Sequence, residues 1–181
     1  PSGSDANTGD RSFPFFSLQY AVDLATPGDS IVFLDGEYFY NTTITIGTDH
    51  NGTSDKPVTL MAENTGAVIL NFSQQEYSSA NRAIVLTGNY WYIRGLEICY
   101  AGDNALKIEG SYNIIERCVF HHNGDTGLQI GFGHDTENPG GLLGAYNLVK
   151  NCDSYMNFDF DSRGGDADGF ACKMHNGKGN V

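Results

Sequence analysis

Ala83–Ile93 (AIVLTGNYWYI) lines up with Ala105–Ile115 (ALKIEGSYNII) at an offset of 22 residues, apolar on apolar and Gly88 on Gly110. Gly127-Leu128-Gln129-Ile130-Gly131 begins a third copy another 22 residues on. The segment Phe132 to Leu143 then intervenes, and Ala145-Tyr146-Asn147-Leu148-Val149 resumes the pattern. Asn113, Cys118 and Asn123 recur as Asn147, Cys152 and Asn157, and Phe170 with Cys172 opens a fourth copy. Self-similarity at a spacing of roughly 20–50 residues marks a solenoid, whose units bury their apolar faces only against one another.

Within each copy the apolar residues alternate at period two, the pattern of a strand. Leu106 and Ile108, Leu128 and Ile130, and Phe170 and Cys172 face one way, whereas Lys107, Gln129 and Ala171 face the other. So short a repeat, built of two or three strands, reads as an all-β parallel β-helix. Stacked turns would place Ile84, Leu106, Leu128 and Phe170 in one interior row, each side chain contributing roughly 1.5–3 kcal/mol on burial. Cys118 and Cys152 would share one slot on adjacent turns as apolar neighbours.

The earlier residues fit the same plan. Leu18, Ala21, Val22 and Ala25 fall at helical spacing, with Ser17 able to cap the start and Pro27-Gly28 to stop it. The resulting helix, Ser17–Ala25, would cover the open end of the solenoid, where unpaired strand edges invite association. Short strands follow over Ile31–Leu34 and Glu37–Tyr40, flanking a hairpin or tight corner at Asp35-Gly36, then over Thr43–Ile46, Val58–Ala62 and Ala67–Leu70. A single domain is expected over 1–181, with an arm and capping helix over 1–28 and solenoid turns over 29–181. No capping element precedes the final GKGNV, so the solenoid is expected to be truncated at its C-terminus.

A net charge of −12 argues against nucleic acid, whose phosphates need a basic surface. It also opposes a polyanionic substrate unless a cation or a local basic patch lies between the two. No apolar run is long enough to span a membrane. The chain starts at Pro1 without a Met or a signal-like segment, as it would after removal of the natural N-terminus by processing or cloning. Four cysteines without CxxC spacing argue against zinc and are read as buried thiols.

The candidate site lies in Asn151–Val181, which carries Asp153, Asp159, Asp161, Asp166 and Asp168 within sixteen residues. Carboxylates this dense repel one another unless they are solvated or share a cation. The hard cation that takes roughly six to eight oxygen ligands is Ca²⁺. Asp168 and Asp166 are its candidate ligands, at a turn bordering a strand over Gly169–Lys173. Lys173 alternates outward beside them, where an ammonium would serve as a base or as a clamp for a substrate carboxylate. The insertion Phe132 to Leu143, with His134, Asp135 and Glu137, would wall a groove or be a neutral loop. His121-His122 offers two metal-binding nitrogens with nothing nearby in sequence to complete a site, and His175 has no assignment. Of Tyr90, Trp91 and Tyr92, one or two are expected to fill the interior, and any left outside would be available to stack on sugars.

The opening GSDANTG…PFFSLQYAVDLATPGDSIVFLDGEY and the later GTSDKPVTLMAENTGAVIL resemble the cap and first turns of many secreted right-handed β-helix proteins. Asn151-Cys152-Asp153-Ser154-Tyr155-Met156-Asn157, followed by GGDADGFACK over 164–173, is similar to polysaccharide lyase family 9, a family of pectate, exopolygalacturonate and rhamnogalacturonan lyases. The cap motifs are unspecific and the GGDADGFACK run is much more specific. The resemblance implies a right-handed parallel β-helix, secretion, and calcium-assisted β-elimination at a galacturonate residue of pectin or polygalacturonate. It puts Asp168 on a calcium ligand and Lys173 on a substrate contact, and implies that the base lysine and further ligands lie beyond Val181. A monomer is expected. The alternatives are a non-catalytic carbohydrate-binding β-helix, and a lyase or hydrolase for another acidic glycan.

Overall fold

Among the described residues, five successive coils carry three short strands each, and every strand lies parallel to its neighbours one coil away. The computed structural model describes residues 3–131, 143–173 and 177–181. The first coil carries β1 (Ser30–Phe33), β2 (Gly36–Phe39) and β3 (Ile44–Ile46), and the second β4 (Val58–Ala62), β5 (Val68–Asn71) and β6 (Ile84–Leu86). The third has β7 (Trp91–Arg94), β8 (Glu97–Cys99) and β9 (Leu106–Ile108). The fourth has β10 (Ile114–Glu116), β11 (Val119–His121) and β12 (Leu128–Ile130). The fifth has β13 (Leu148–Lys150), β14 (Asp153–Tyr155) and β15 (Phe170–Cys172). Three five-stranded sheets result: β1-β4-β7-β10-β13, β2-β5-β8-β11-β14 and β3-β6-β9-β12-β15. The architecture is the right-handed parallel β-helix expected from the repeat and the resemblance.

The offset of 22 residues survives as register. Ile84 pairs with Leu106, Leu106 with Leu128, and Leu128 with Phe170. The first three side chains of that row are buried, but Phe170 is 47% exposed because β15 is the edge strand of its sheet. The same edge leaves Cys172 exposed and Cys152 half-buried, so only Cys99 and Cys118 are the buried thiols that the sequence suggested. Cys118 and Cys152 do share one slot, the Cys118 N–H donating to Cys152 Sγ at 3.4 Å.

Corners between strands are tight because single residues turn left-handed. Tyr90, Tyr112 and Tyr146 before the first sheet, Gly95, Arg117 and Asn151 after it, and Tyr100, His122 and Met156 after the second all have φ between 53° and 74°. Non-glycine residues rarely hold that conformation unless the surroundings enforce it. Before the first sheet and after the second, asparagine ladders provide the enforcement. Trp91 N–H donates to Asn113 Oδ1, Asn113 N–H to Asn147 Oδ1, and Asn147 N–H to Asn180 Oδ1, at 2.8–2.9 Å. A second ladder runs from Ala101 N–H to Asn123 Oδ1 and from Asn123 N–H to Asn157 Oδ1. These amides satisfy backbone donors that the corners remove from the sheets.

The helix α1 (Leu18–Leu24) is capped by Ser17, whose hydroxyl accepts from Tyr20 N–H at 3.2 Å, and it buries Leu18 and Val22. Gln19 completes the cap. Its Nε2 donates to Thr45 O at 3.0 Å, and its Oε1 accepts from Thr45 N–H at 2.9 Å, closing the open edge of β3. Asp35-Gly36 is a corner rather than a hairpin, since β1 and β2 lie in different sheets. No helix among the described residues is long and apolar enough to cross a membrane.

Candidate functional site

The outer face of the third sheet and the corners leading into it gather charged groups in columns. Lys107 on β9 is the Cα partner of Gln129 on β12, which in turn partners Ala171 on β15. All three point outward, as their alternation requires. Lys107 is nonetheless only 9% exposed, and its ammonium lies 2.8 Å from Glu109 Oε1. Lys173 follows β15 directly, fixed by its N–H donating to Ile130 O at 2.9 Å. Its Nζ lies 3.4 Å from Asp168 Oδ2.

Asp168 occupies the corner before β15. Its N–H donates to Thr126 Oγ1 at 3.2 Å and its carbonyl accepts from Gly127 N–H at 3.0 Å, so the backbone is anchored while the carboxylate stays exposed. One coil down, Thr126 is level with Asp168, and Asp125 just before it accepts from Asn104 Nδ2 at 3.0 Å and from Thr126 Oγ1 at 3.2 Å. One coil further down Asp103 is buried against Arg82, Nε to Oδ2 at 3.0 Å. Burial pushes the Asp103 carboxyl up to about 6, Arg82 opposing the shift and the Asp125 charge adding to it. Three carboxylates thus occupy successive corners, passing from buried to exposed.

The other aspartates of the acidic stretch have different roles. Asp159 closes a turn, accepting from Asp161 N–H, Ser162 N–H and Tyr77 OH. Hydrogen bonds from Ser162 and then Tyr77 hold its carboxyl below the usual range. Asp153 and Asp161 are exposed. Asp166 is exposed with its N–H on Ser162 Oγ at 2.9 Å, and it does not join Asp168 and a third carboxylate within metal-binding reach among the described residues. The insertion expected to wall a groove lies, apart from Leu143, outside the described residues, as does His175.

Of the three aromatic candidates, Trp91 is buried and donates from Nε1 to His50 O at 2.8 Å. Tyr92 bonds the Glu116 carboxylate. Tyr90, Tyr112 and Tyr146 stack face to face at 4.9 and 5.1 Å, so both faces of Tyr112 are covered by its neighbours. His121 and His122 sit on the second sheet and the corner after it, beside Glu97 and Cys99. Sequence reasoning missed those two partners, although Cys99 lies 22 residues before His121.

All 181 residues match the family model described as "Pel9A-like, right handed beta helix region". The chain is 42% identical over 164 residues to pectate lyase L of Paenibacillus polymyxa (strain SC2), covering 91% of this chain and 36% of that protein. It is 34% identical to pectate lyase L of Dickeya chrysanthemi, covering 99% of this chain and 41% of the relative. Pectate lyase Pel9A superposes with a TM-score of 0.83 at 33% identity, covering 99% of this chain and 44% of that one. A rhamnogalacturonan lyase shares the fold with a TM-score of 0.78 at 22% identity, covering 100% of this chain and 48% of that one. This chain thus spans less than half the length of these relatives.

Proposed function

The chain belongs to the Pel9A-like right-handed β-helix family, and on that footing we propose that it is part of a secreted, calcium-dependent lyase. The substrate would be a pectic polyuronide, polygalacturonate or rhamnogalacturonan, cleaved by β-elimination. The observation that carries this reading is the exposed Asp168 carboxylate, 3.4 Å from the Lys173 ammonium on the outer face of the third sheet. Its donors are carboxylate oxygens, as a hard cation requires. Asp168, with Asp166, would hold calcium as part of a larger ligand set. A bound calcium would draw charge from the uronate carboxylate and acidify the proton on the adjacent carbon.

The chain's own residues would bind and orient. Lys173 would turn from Asp168 to the substrate carboxylate once a cation takes over that aspartate. Lys107 is neutralised by Glu109, so on a chain of net charge −12 the approach of a polyanion would rest on the bound cation and on Lys173. The base that takes the proton is taken to be a lysine beyond Val181.

The test is formation of unsaturated uronide, read by ultraviolet absorbance on polygalacturonate and rhamnogalacturonan with and without chelator. It is run on this chain and on a form extended at its C-terminus. Chelator-sensitive product from the extended form, lost on Asp168→Ala, is expected. Uronan binding without product in either form would favour a carbohydrate-binding β-helix instead.

A further inference from the structure

The outer face of the second sheet carries a second group of metal-binding side chains, of different chemistry. Glu97 and Cys99 point outward two residues apart on β8, and His121 on β11 is the Cα partner of Cys99. One ligand atom from each lies within 4.8 Å of the other two, and among the described residues this is the group of three that meets that condition. We propose that Glu97, Cys99 and His121 bind a zinc-class divalent cation, joining the third and fourth coils from outside. A carboxylate oxygen, a sulfur and an imidazole nitrogen suit a borderline-soft ion and not calcium, which prefers oxygen alone.

The geometry is close to a preformed site. His121 Nε2 and Glu97 Oε1 are 2.8 Å apart, sharing a proton that a cation would replace. With bonds of about 2.0–2.3 Å, tetrahedral donors stand roughly 3.3–3.7 Å apart, so the sulfur draws in by about 1 Å at most. The other ring nitrogen, Nδ1, is 2.6 Å from His122 Nδ1. On binding, the ring proton that His121 shares with Glu97 from Nε2 shifts to Nδ1, where it is donated to His122 Nδ1, and the Nε2 lone pair is left for the ion. The Cys99 thiol releases its proton to solvent, and Glu97 binds as a carboxylate. Two anionic donors then neutralise the dication, and water takes the fourth position.

The surroundings favour a cation there. Tyr155 stacks on the His121 ring at 4.9 Å and 8°, and Tyr100 meets it edge-on, so the imidazole is held in place. Burial, then the charges of Glu97 and Glu37, push the Cys99 thiol up to about 12. Cys99 is otherwise weakly engaged, its Sγ lying 3.9 Å from Leu70 O.

The test is titration of the chelator-treated protein with Co²⁺, reading the cobalt–thiolate charge-transfer band in the near ultraviolet. One equivalent is expected to bind with that band, to be displaced by Zn²⁺ and to resist excess Ca²⁺. Zn²⁺ is also expected to raise the thermal midpoint. Cys99→Ser should abolish the band and weaken binding by more than about 100-fold, since loss even of an outer partner costs about 10–100-fold. Glu97→Gln, on the more exposed rim, should keep the band and weaken binding by about 10-fold. Wild-type protein that takes up Co²⁺ without the band, or none at all, overturns the proposal, as does undiminished Zn²⁺ binding by folded Cys99→Ser. None of these readings depends on lyase activity.

Discussion

The second and third sheets are wound from the same coils, yet their outer faces carry different chemistry. On the third, oxygen donors and ammonium groups alternate: Glu109 with Lys107, Asp168 with Lys173, and at the corners before the strands Asp103 level with Asp125, and Asp168 one position further on in the next coil. On the second, an imidazole, a thiol and a carboxylate are packed among aromatic rings. The charged groups of the third sheet become more exposed towards the upper coils, where a polymer could lie along them. Those of the second are largely closed over by Tyr100 and Tyr155. A solenoid thus turns a spacing in sequence into a column in space, and the residue type placed in the column sets which ion it suits.

The comparison yields tests of decreasing size. In a form extended to full activity, Asp168→Ala should lower product formation by about 10²–10³-fold, the cost of losing a transition-state charge contact. Cys99→Ser should leave that rate unchanged. Equal losses in an assay of unsaturated uronide would erase the distinction between the faces. Both faces also rest on one interior. Phe120, fully buried behind β11, should cost about 3–5 kcal/mol in urea unfolding when replaced by Ala.

A smaller effect separates the faces by pH. Asp103 is shifted from 3.8 to about 6 in the folded chain, so between those values the folded state holds a proton that the unfolded state has released. Stability is greatest below about pH 4 for this group and falls by about 3 kcal/mol as pH rises to 6 and beyond. Urea midpoints taken across that range should show the fall, and Asp103→Asn should flatten it. The smallest effect is at the aromatic lid. Tyr155→Ala should lose about 0.5–1.5 kcal/mol of ring contact with His121, measured by thermal unfolding without metal.

Much of this was legible before any coordinates. The match of Ala83–Ile93 with Ala105–Ile115 predicted the register that pairs Ile84, Leu106 and Leu128, and Ser17 and Leu18–Leu24 read as the cap they form. GGDADGFACK pointed to Asp168 and Lys173, which the fold brings within 3.4 Å. The aspartate cluster was harder to read. Asp159 closes a turn with Tyr77, a residue 82 positions away, whereas Asp168 stays exposed. The bond to Tyr77 is what local sequence could not show.

The sequence by itself determined which residues face inward and which coil follows which, because alternation and repeat length are local properties. Only the tertiary structure decided what lies beside each outward residue. Glu97, Cys99 and His121 meet because tight left-handed corners at Gly95 and Arg117 start β8 and β11 in step. Lys107 is buried on an outward face because Glu109 and the corner residues crowd around it. Cys172 and Phe170, inward by alternation, are exposed on the edge strand of their sheet. Direction follows from one strand alone, but burial and ligand geometry depend on how the neighbouring coils are packed.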